Sequence, residues 1–197
     1  MCFIFYKRRI TKLSINCDKI EKMNNEEKTL ESEVVFDGKV IHVRKDKVLC
    51  PNGKESFREI VDHHGGVGVL AFLEGKIALV KQFRYAYKEE LYEMPAGKLE
   101  KGEDPEKGGR RELEEEVGYI AEKLEYLGRM YPSCGYTNEI IYLFKAENLR
   151  KTHTHLDDDE FLSVEWFSLE EIKKMVVDGK IVDAKTICAL FFLENKN

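Results

Sequence analysis

The stretch P-A-G-K-L-E-K-G-E-D-P-E-K-G-G-R-R-E-L-E-E-E-V-G-Y, residues Pro95–Tyr119, combines the signals of one short helix with a dense set of acids. Asp104 is a favourable N-cap, and Pro105 suits the first helical position, where a missing N–H costs nothing. Gly118 suits the left-handed conformation that ends many helices. These signals predict a helix over Pro105–Val117.

Three carboxylates of this helix are predicted to share one face. At about 100° per residue, Glu115 lies near −60° and Glu116 near +40° relative to Glu112, so the three span an arc of roughly 100°. Leu113 and Val117 form the adjacent apolar edge. The acidic arc is therefore expected to border the core, not open water.

Acids this close together repel one another unless a cation neutralises them. Hard divalent cations such as Mg²⁺ prefer oxygen ligands of this kind. Arg111 lies one helical turn before Glu115 and is expected to orient it through a charge-assisted hydrogen bond, whereas Glu114 is expected to point into solvent. The alternative interpretation is a solvated acidic face, which is what most runs of charge are.

Seven residues of the stretch have the spacing G-x5-E-x7-R-E-U-x-E-E-x-G-U, where U is aliphatic: Gly97, Glu103, Arg111, Glu112, Glu115, Glu116 and Gly118. Because this is the Nudix box at every fixed letter, the chain resembles the Nudix hydrolases, and a match of this length is specific. Tyr119 departs from the aliphatic pattern. Gly108 and Gly109 stand where the family usually has small helix formers. Each glycine costs about 1 kcal/mol in helix propensity, which predicts a looser first turn.

A second resemblance covers roughly residues 34–193 and indicates the ADP-ribose pyrophosphatase branch. Its motifs are Arg58-Glu59, Gln82-Phe83-Arg84, Glu93-Met94-Pro95-Ala96-Gly97, Tyr131-Pro132-Ser133-Cys134-Gly135 with Glu139, Asp157-Asp158-Asp159-Glu160-Phe161, and Ile181–Thr186. Cys134 stands where the branch commonly has proline. The resemblance implies an α/β fold, namely a Nudix-like α/β/α sandwich with a mixed sheet, plus a small N-terminal antiparallel β unit.

The Nudix resemblance implies a metal site on the acidic helix. The carbonyl oxygen of Ala96 and the carboxylates of Glu112 and Glu116 would hold Mg²⁺, with Mn²⁺ as the alternative ion. Glu115 would be a further ligand or a charge that tunes the site, and Glu160 would approach a metal from the acidic loop. The residues that the resemblance makes catalytic are Arg111, Glu112, Glu115, Glu116 and Asp158, the last as general base although relatives often carry glutamate there.

The same resemblance implies a substrate site. The guanidinium groups of Arg58 and Arg84 would clamp the diphosphate or the terminal phosphoribose, since each pairs two phosphate oxygens at once. From the sequence alone, Arg84 at the end of an apolar strand fits either a phosphate contact or a salt bridge at the rim. The expected substrate-binding residues are Arg58, Glu59, Arg84, Ser133, Gly135 and Glu139. The adenine platform stays open among Phe36, Tyr85 and Tyr87.

Composition bounds the class of protein. The chain has 197 residues, 43% of them hydrophobic, which is enough for one substantial buried core. Its net charge of −5 argues against wholesale nucleic-acid binding but not against a nucleotide. The five cysteines are scattered without C-x-x-C spacing, which favours reduced thiols in a cytoplasmic protein. We find no apolar run long enough to span a membrane.

The pattern along the chain predicts three parts. Residues 1–22 form a basic N-terminal extension, which is either dispensable, with Met23 as a natural start, or a tail that packs on the domain. Residues 23–62 form the β unit, with turns at Asp37-Gly38 and Pro51-Asn52-Gly53. Residues 63–197 form the hydrolase domain. The β unit resembles the part that builds a homodimer in this branch.

Within the hydrolase domain, Gly66–Phe72 and Lys76–Phe83 are nearly continuous apolar runs and predict central strands buried on both faces. Ser168 and Glu171 predict a capping box at the start of a helix. Asp183 is expected to cap a final helix whose apolar side comprises Ile187, Leu190, Phe191 and Leu193. His153 and His155 are interpreted as surface residues, and Trp166 as a core residue.

The expected function is Mg²⁺-dependent hydrolysis of the diphosphate bond of ADP-ribose to AMP and ribose 5-phosphate. The first alternative is a Nudix hydrolase for another nucleoside diphosphate derivative, such as a nucleotide sugar or NADH. The second is a catalytically idle Nudix module that binds a nucleotide or a partner protein. The intact glutamates disfavour the idle module, since it has no chemical need for clustered like charges.

Overall fold

The computed structural model describes residues 24–156 and 160–196. The predicted extension, residues 1–22, lies outside these ranges. The described residues form ten strands, three α-helices and one π-helical turn, arranged in two sheets. No helix in this described part is long and apolar enough to cross a membrane.

The first sheet is the antiparallel β unit expected at the N-terminus. Strands β1 (Lys28–Asp37), β2 (His42–Leu49) and β3 (Glu55–Asp62) pair in the order β1-β2-β3. The first turn is closed by a hydrogen bond of 3.0 Å from Gly38 N–H to the Ile41 carbonyl. Gly53, at φ 77°, lies in the second turn, where the left-handed region favours glycine.

The second sheet is mixed, as the resemblance implies. Its strands are β4 (Gly66–Leu73), β5 (Lys76–Arg84), β6 (Glu89–Glu93), β7 (Ala96–Lys98), β8 (Tyr119–Met130), β9 (Ile141–Lys151) and β10 (Leu162–Ser168). The order is β10-β5-β4-β9-β8, with β6 beside β5 and β7 beside β4. Strands β4 and β9 are parallel and the other pairs are antiparallel.

Helices cover both faces of this sheet and make the predicted α/β/α sandwich. They are α1 (Pro105–Glu112), which continues into the π turn (Leu113–Val117), α2 (Leu169–Val177) and α3 (Ala184–Asn195). Strand β4 faces two separate cores because successive side chains alternate. Val67 and Val69 pack with Leu113 under α1, whereas Leu70 packs with Ile172 under α2.

The acidic helix has the predicted ends but not a uniform α-helical geometry. Asp104 accepts hydrogen bonds of 3.1 Å from the N–H groups of Glu106 and Lys107, and Gly118 ends the helix at φ 74°. The last five residues form the π turn, a feature that often occurs at functional sites. The wheel drawn at a constant angle is therefore wrong for the last turn of the helix.

The two glycines of α1 close the first turn against its neighbours, so the prediction of a looser turn is wrong. A Cβ on Gly108 would lie 2.5 Å from the Leu99 side chain, and one on Gly109 would lie 3.2 Å from Val67. Both glycines are buried. The lost helix propensity is therefore exchanged for close packing of α1 on β4 and the loop that follows β7.

The two C-terminal helices begin where the sequence predicts. Ser168 and Glu171 form the capping box of α2, and Asp183 accepts a hydrogen bond from Thr186 N–H at the start of α3. The predicted apolar side of α3 is partly wrong, because Ile187 is 38% and Phe191 63% exposed. Leu190 is buried as expected, together with Thr186 and Ala189, and Trp166 packs against the core.

Candidate active site

A cavity of about 470 Å³ lies beside the acidic helix. It is bounded by the starts of β4 and β9, the end of β5, strand β7, and the π turn. Glu112, Glu115 and Glu116 all line it, so the three carboxylates do share one face. We refer to these three residues as the acidic wall.

Glu112 lies directly over the backbone of Gly97. A Cβ on Gly97 would be 2.1 Å from the carboxyl carbon of Glu112, which is far inside contact distance. Only glycine leaves room for the carboxylate here. The glycine and the glutamate of the box, fifteen positions apart in sequence, therefore form one close contact at the cavity.

Burial makes the acidic wall costly to charge. Glu116 is 3% and Glu112 8% exposed. Burial raises the pKa of Glu116 to about 8, and the charges of Glu112 and Glu160 add to this, although a hydrogen bond of 2.8 Å from Ala96 N–H opposes it. Burial raises the pKa of Glu112 to about 7 despite the nearby charge of Arg111. The positive charge that the fold places near these two carboxylates does not offset their burial.

Arg111 holds two residues of the acidic wall, Glu112 and Glu115, and the contact with Glu115 is the predicted one. Its Nη1 donates hydrogen bonds of 2.8 Å to Glu112 and to Glu115. Its Nε and Nη2 each reach a carboxylate oxygen of Glu103 at 3.0 Å, and Nη2 also reaches the Lys98 carbonyl at 3.1 Å. The hydrogen bonds to Glu103 raise the pKa of Arg111 further, so it stays cationic.

The donor set fits a hard divalent cation. Carboxylate oxygens of the acidic wall, the nearby carboxylate of Glu160 and the Ala96 carbonyl are the ligand types that such ions prefer, and all five residues line the cavity. Within residues 24–156 and 160–196, no three acidic, histidine or cysteine side chains already surround one point as a ligand cage. Arg111 and the Ala96 N–H hold the carboxylates instead.

Glu114 departs from its predicted orientation into solvent. It is half-buried, and its Oε1 accepts a hydrogen bond of 3.2 Å from the Thr152 hydroxyl. It does not line the cavity. Glu114 therefore contacts the segment just after β9 and takes no part in the acidic wall.

Arg84 and Lys185 also line the cavity, and both pair with the carboxylate of Glu93. We call these three residues the cationic wall. Nε and Nη2 of Arg84 donate to the two carboxylate oxygens of Glu93 at 2.5 and 2.8 Å, and Lys185 Nζ donates to the same carboxylate. Burial alone would raise the pKa of Glu93, but the two cations outweigh it and hold that pKa below its usual value. Arg84 thus makes a salt bridge and lines the cavity as well.

The other predicted substrate residues are divided by the structure. Glu139 lines the cavity beside His63, with Oε1 3.5 Å from His63 Nδ1. Ser133 is half-buried and its carbonyl accepts from the N–H of Thr137 at 3.2 Å, but neither it nor the exposed Gly135 lines the cavity. The structure therefore brings only Glu139 of this loop into the site.

Arg58 and Glu59 lie on β3 in the N-terminal sheet, away from the cavity of their own chain. Arg58 forms a salt bridge with Glu27. Of the expected metal and catalytic residues outside the helix, Ala96 and Glu160 line the cavity, whereas Asp158 lies outside the described residues. The candidate aromatics Phe36, Tyr85 and Tyr87 are exposed and none lines the cavity.

Sequence reasoning missed several residues of the cavity. His155 is exposed, as predicted, but it also lines the cavity, and its N–H donates to the Glu115 carbonyl at 2.9 Å. His63 and Lys185 line the cavity too. No local pattern indicates His63, and Lys185 belongs to the motif Ile181–Thr186 but has no predicted role in the site. Glu93, which pairs with two lining cations, belongs to the motif Glu93-Met94-Pro95-Ala96-Gly97 but has no predicted role of its own.

Comparison with known proteins identifies the family. Residues 62–189 match the NUDIX domain model, and residues 27–61 match the nucleoside diphosphate sugar hydrolase N-terminal domain. An ADP-ribose pyrophosphatase of Bacillus subtilis is 48% identical over 174 residues, covering 87% of this chain and 94% of the relative. A methanol dehydrogenase activator of Bacillus methanolicus is 43% identical over 172 residues, covering 86% and 93%.

A solved structure described as an ADP compounds hydrolase shares the fold, with a TM-score of 0.77 at 20% identity, over 86% of this chain and 92% of its own. The NUDIX model covers well over half of the chain, and the relatives match over nearly their whole length. The chain therefore belongs to the Nudix hydrolase family.

Proposed function

We propose that this Nudix hydrolase splits the diphosphate bond of ADP-ribose, with Mg²⁺, into AMP and ribose 5-phosphate. One observation carries the proposal: a single cavity has buried carboxylates on one wall and a fixed pair of cations on another. The 48% identity to an ADP-ribose pyrophosphatase supports the choice of substrate.

The family uses a divalent metal ion, and the residues proposed to hold Mg²⁺ here are Ala96, Glu112, Glu115, Glu116 and Glu160. When bound, such an ion lowers the pKa of water and neutralises charge on phosphate oxygens. Mn²⁺ has the same ligand preference and is the alternative ion. The raised pKa values of Glu112 and Glu116 support this assignment, because a cation supplies the missing counter-charge.

The other side chains of the site bind the substrate or orient neighbouring site residues. Arg111 holds Glu115 in place from the inner side of the helix, which fixes the acidic wall. Arg84 presents part of its guanidinium group to the diphosphate while Glu93 holds the rest. Glu139 lies where a ribose or phosphate group would pass. Asp158 remains the proposed general base for the attacking water, on the family resemblance.

We also propose that the N-terminal sheet builds a homodimer. Its exposed apolar side chains include Val34 at 67%, Val35 at 51% and Phe57 at 56% exposure, and a second copy would bury some of this apolar surface. Arg58 and Glu59 lie on the same sheet. In a dimer they would line the partner's cavity, and sedimentation tests this because a clean monomer contradicts it.

The chain is proposed to divide at residue 62, with a β unit over residues 23–62 and a hydrolase domain over residues 63–197. The two family models, which meet between residues 61 and 62, support this division. The scattered cysteines, of which Cys50, Cys134 and Cys188 are free thiols, support a reducing compartment such as the cytoplasm.

A second candidate substrate is a nucleotide sugar. A GDP-mannose pyrophosphatase of Yersinia pestis is 32% identical over 151 residues, covering 71% of this chain and 76% of the relative. The N-terminal model is also named for nucleoside diphosphate sugar hydrolases. The acidic wall and the cationic wall would bind the diphosphate of a nucleotide sugar as well. The two candidate substrates therefore differ in the group beyond the diphosphate.

A substrate panel with product identification separates these candidates. Purified protein is given Mg²⁺ and equal concentrations of ADP-ribose, GDP-mannose, NADH and ADP-glucose, and the products are resolved by chromatography. Release of AMP and ribose 5-phosphate with the highest kcat/KM for ADP-ribose supports the proposal. No AMP from ADP-ribose contradicts it, and binding without turnover of any substrate would favour the idle module.

A further inference from the structure

The cationic wall contains more donors than its internal salt bridges use. Lys185 lies in the first turn of α3 with its side chain 12% exposed, and its Nζ donates to Glu93 and, at 3.1 Å, to Asp183. An ammonium group has three N–H donors, so one remains. Arg84 likewise spends Nε and Nη2 on Glu93, and Nη1 has no partner among the described residues.

The position of Lys185 is unfavourable for a purely structural cation. The first turn of a helix carries partial positive charge and favours acids. Arg84 already neutralises Glu93 through two hydrogen bonds. Lys185 is a second cation on that carboxylate, it pairs with Asp183 as well, and its side chain borders the cavity, where its remaining donor is available to a ligand.

The setting of Lys185 is rigid. Glu93 is 3% exposed and Thr186, next to Lys185, is fully buried. The Thr186 hydroxyl accepts a hydrogen bond of 2.8 Å from Met94 N–H and donates one of 2.5 Å to Asp183. These contacts join the start of α3 to the chain just after Glu93, so the ammonium and the guanidinium are held at a fixed separation.

We propose that Lys185 is a substrate-binding residue that contacts a phosphoryl oxygen of the diphosphate, and that Glu93 is the positioning residue that sets Lys185 and Arg84 as a two-pronged donor. The proposal rests on the proposed function only for the identity of the substrate. The proposal requires a ligand that is an anion with two neighbouring phosphoryl groups. A fixed pair of donors suits such an anion better than a single flexible cation does.

The test compares Lys185→Met, which removes the charge and keeps much of the volume, with Lys185→Arg, which restores a cation. The matched control is Lys81→Met, because Lys81 pairs with Glu90 at 2.6 Å on the same sheet but does not line the cavity. Three quantities are measured: KM and kcat for ADP-ribose, and the Kd of inorganic diphosphate by calorimetry in fixed excess Mg²⁺.

We expect Lys185→Met to raise both the KM for ADP-ribose and the Kd of diphosphate about tenfold or more, the effect of losing one charge-assisted hydrogen bond. The kcat should change much less, and Lys185→Arg should recover most of the binding. Lys81→Met should bind diphosphate like the wild type. Melting temperatures of all variants report whether the fold is intact.

The proposal is overturned if Lys185→Met leaves the diphosphate Kd within about twofold, a change below the worth of one such bond. It is also overturned if the wild type binds no diphosphate, or if both Lys185 variants lose binding in proportion to a fall in melting temperature. A wild type that does not hydrolyse ADP-ribose, with weaker diphosphate binding in Lys185→Met, would refute the proposed substrate and leave this inference standing.

Discussion

The acidic wall comes from one continuous piece of chain, whereas the cationic wall is assembled from elements far apart in sequence. Glu112, Glu115 and Glu116 lie within five residues at the end of α1 and in the π turn. Glu93 and Lys185 are 92 residues apart, and α3 must pack on the sheet before they meet. The first wall is therefore local in origin and the second is tertiary.

The two walls also differ in charge balance. Burial raises the pKa of Glu116 and Glu112, which have too little positive charge around them. In the cationic wall, Arg84 and Lys185 lower the pKa of Glu93 despite its burial. The acidic wall is thus incomplete until a cation arrives, and the cationic wall is complete within the fold. The same substitution should then have different effects on the two walls.

The largest expected effect is on activity in the acidic wall. Glu116→Gln removes a proposed metal ligand and should lower kcat by about 1000-fold, the range seen when a key electrostatic group is lost. The variant should still fold, because the amide oxygen can accept the Ala96 N–H. Steady-state kinetics with Mg²⁺ and a circular dichroism spectrum check this.

The matched control is Glu114→Gln in the same turn. Glu114 contacts Thr152 outside the cavity, so its kcat should stay close to that of the wild type. Full activity in Glu116→Gln would exclude Glu116 as a metal ligand. Equal losses in both variants would show that the π turn, and not the acidic wall, is what the substitutions disturb.

The second effect concerns the contact between Gly97 and Glu112. In Gly97→Ala the new methyl group would overlap the carboxylate, with a separation of 2.1 Å, so Glu112 or β7 must move. We expect kcat/KM to fall about 100-fold, since small displacements of catalytic groups have effects of this size. The apparent Mg²⁺ affinity should weaken in parallel. Unchanged affinity for Mg²⁺ would show that Glu112 need not lie over Gly97.

The third prediction contrasts the walls through stability without metal. At pH 8.5 with chelator, Glu116→Gln removes an under-compensated buried charge and should raise the free energy of unfolding by about 1–2 kcal/mol. Glu93→Gln leaves two cations without their shared partner and should lower it by about 2–4 kcal/mol. Urea titrations of both variants measure the difference. Changes of the same sign would refute the contrast in charge balance.

The two walls also show which parts of the site could be predicted from the sequence. The acidic wall could be predicted because the helix ends, the helical periodicity and the Nudix box all lie in one segment. The π turn and the packing of Gly108 could not be predicted from that segment. The layered fold and the buried strands followed from apolar runs. Lys185 and His155 could not be predicted, since only long-range packing brings them to the cavity. The position of Arg58 away from the cavity of its own chain also depends on tertiary packing, because β3 belongs to the N-terminal sheet.

The smallest expected effect is a pH dependence of metal stabilisation. In the folded, metal-free protein the pKa values of Glu112 and Glu116 lie at about 7 and about 8, above the ordinary value of 4.5. Between about pH 4.5 and about pH 8, the folded state therefore binds more protons than the unfolded state. The stability of the metal-free protein should then fall as the pH rises from about 4.5 to about 8.

A divalent cation binds the deprotonated carboxylates and must displace these protons at low pH. The increase in melting temperature caused by Mg²⁺ should therefore grow from pH 6 to pH 9, by several degrees for a linked free energy of about 1–2 kcal/mol. Thermal melts at matched ionic strength, with Mg²⁺ or chelator, measure it. Because Glu116→Gln removes one of the two titrating groups, the variant should keep only the part of the slope that belongs to Glu112. A slope unchanged by that substitution would mean that Glu116 does not release these protons, and Glu116 would then not be an under-compensated charge that the metal balances.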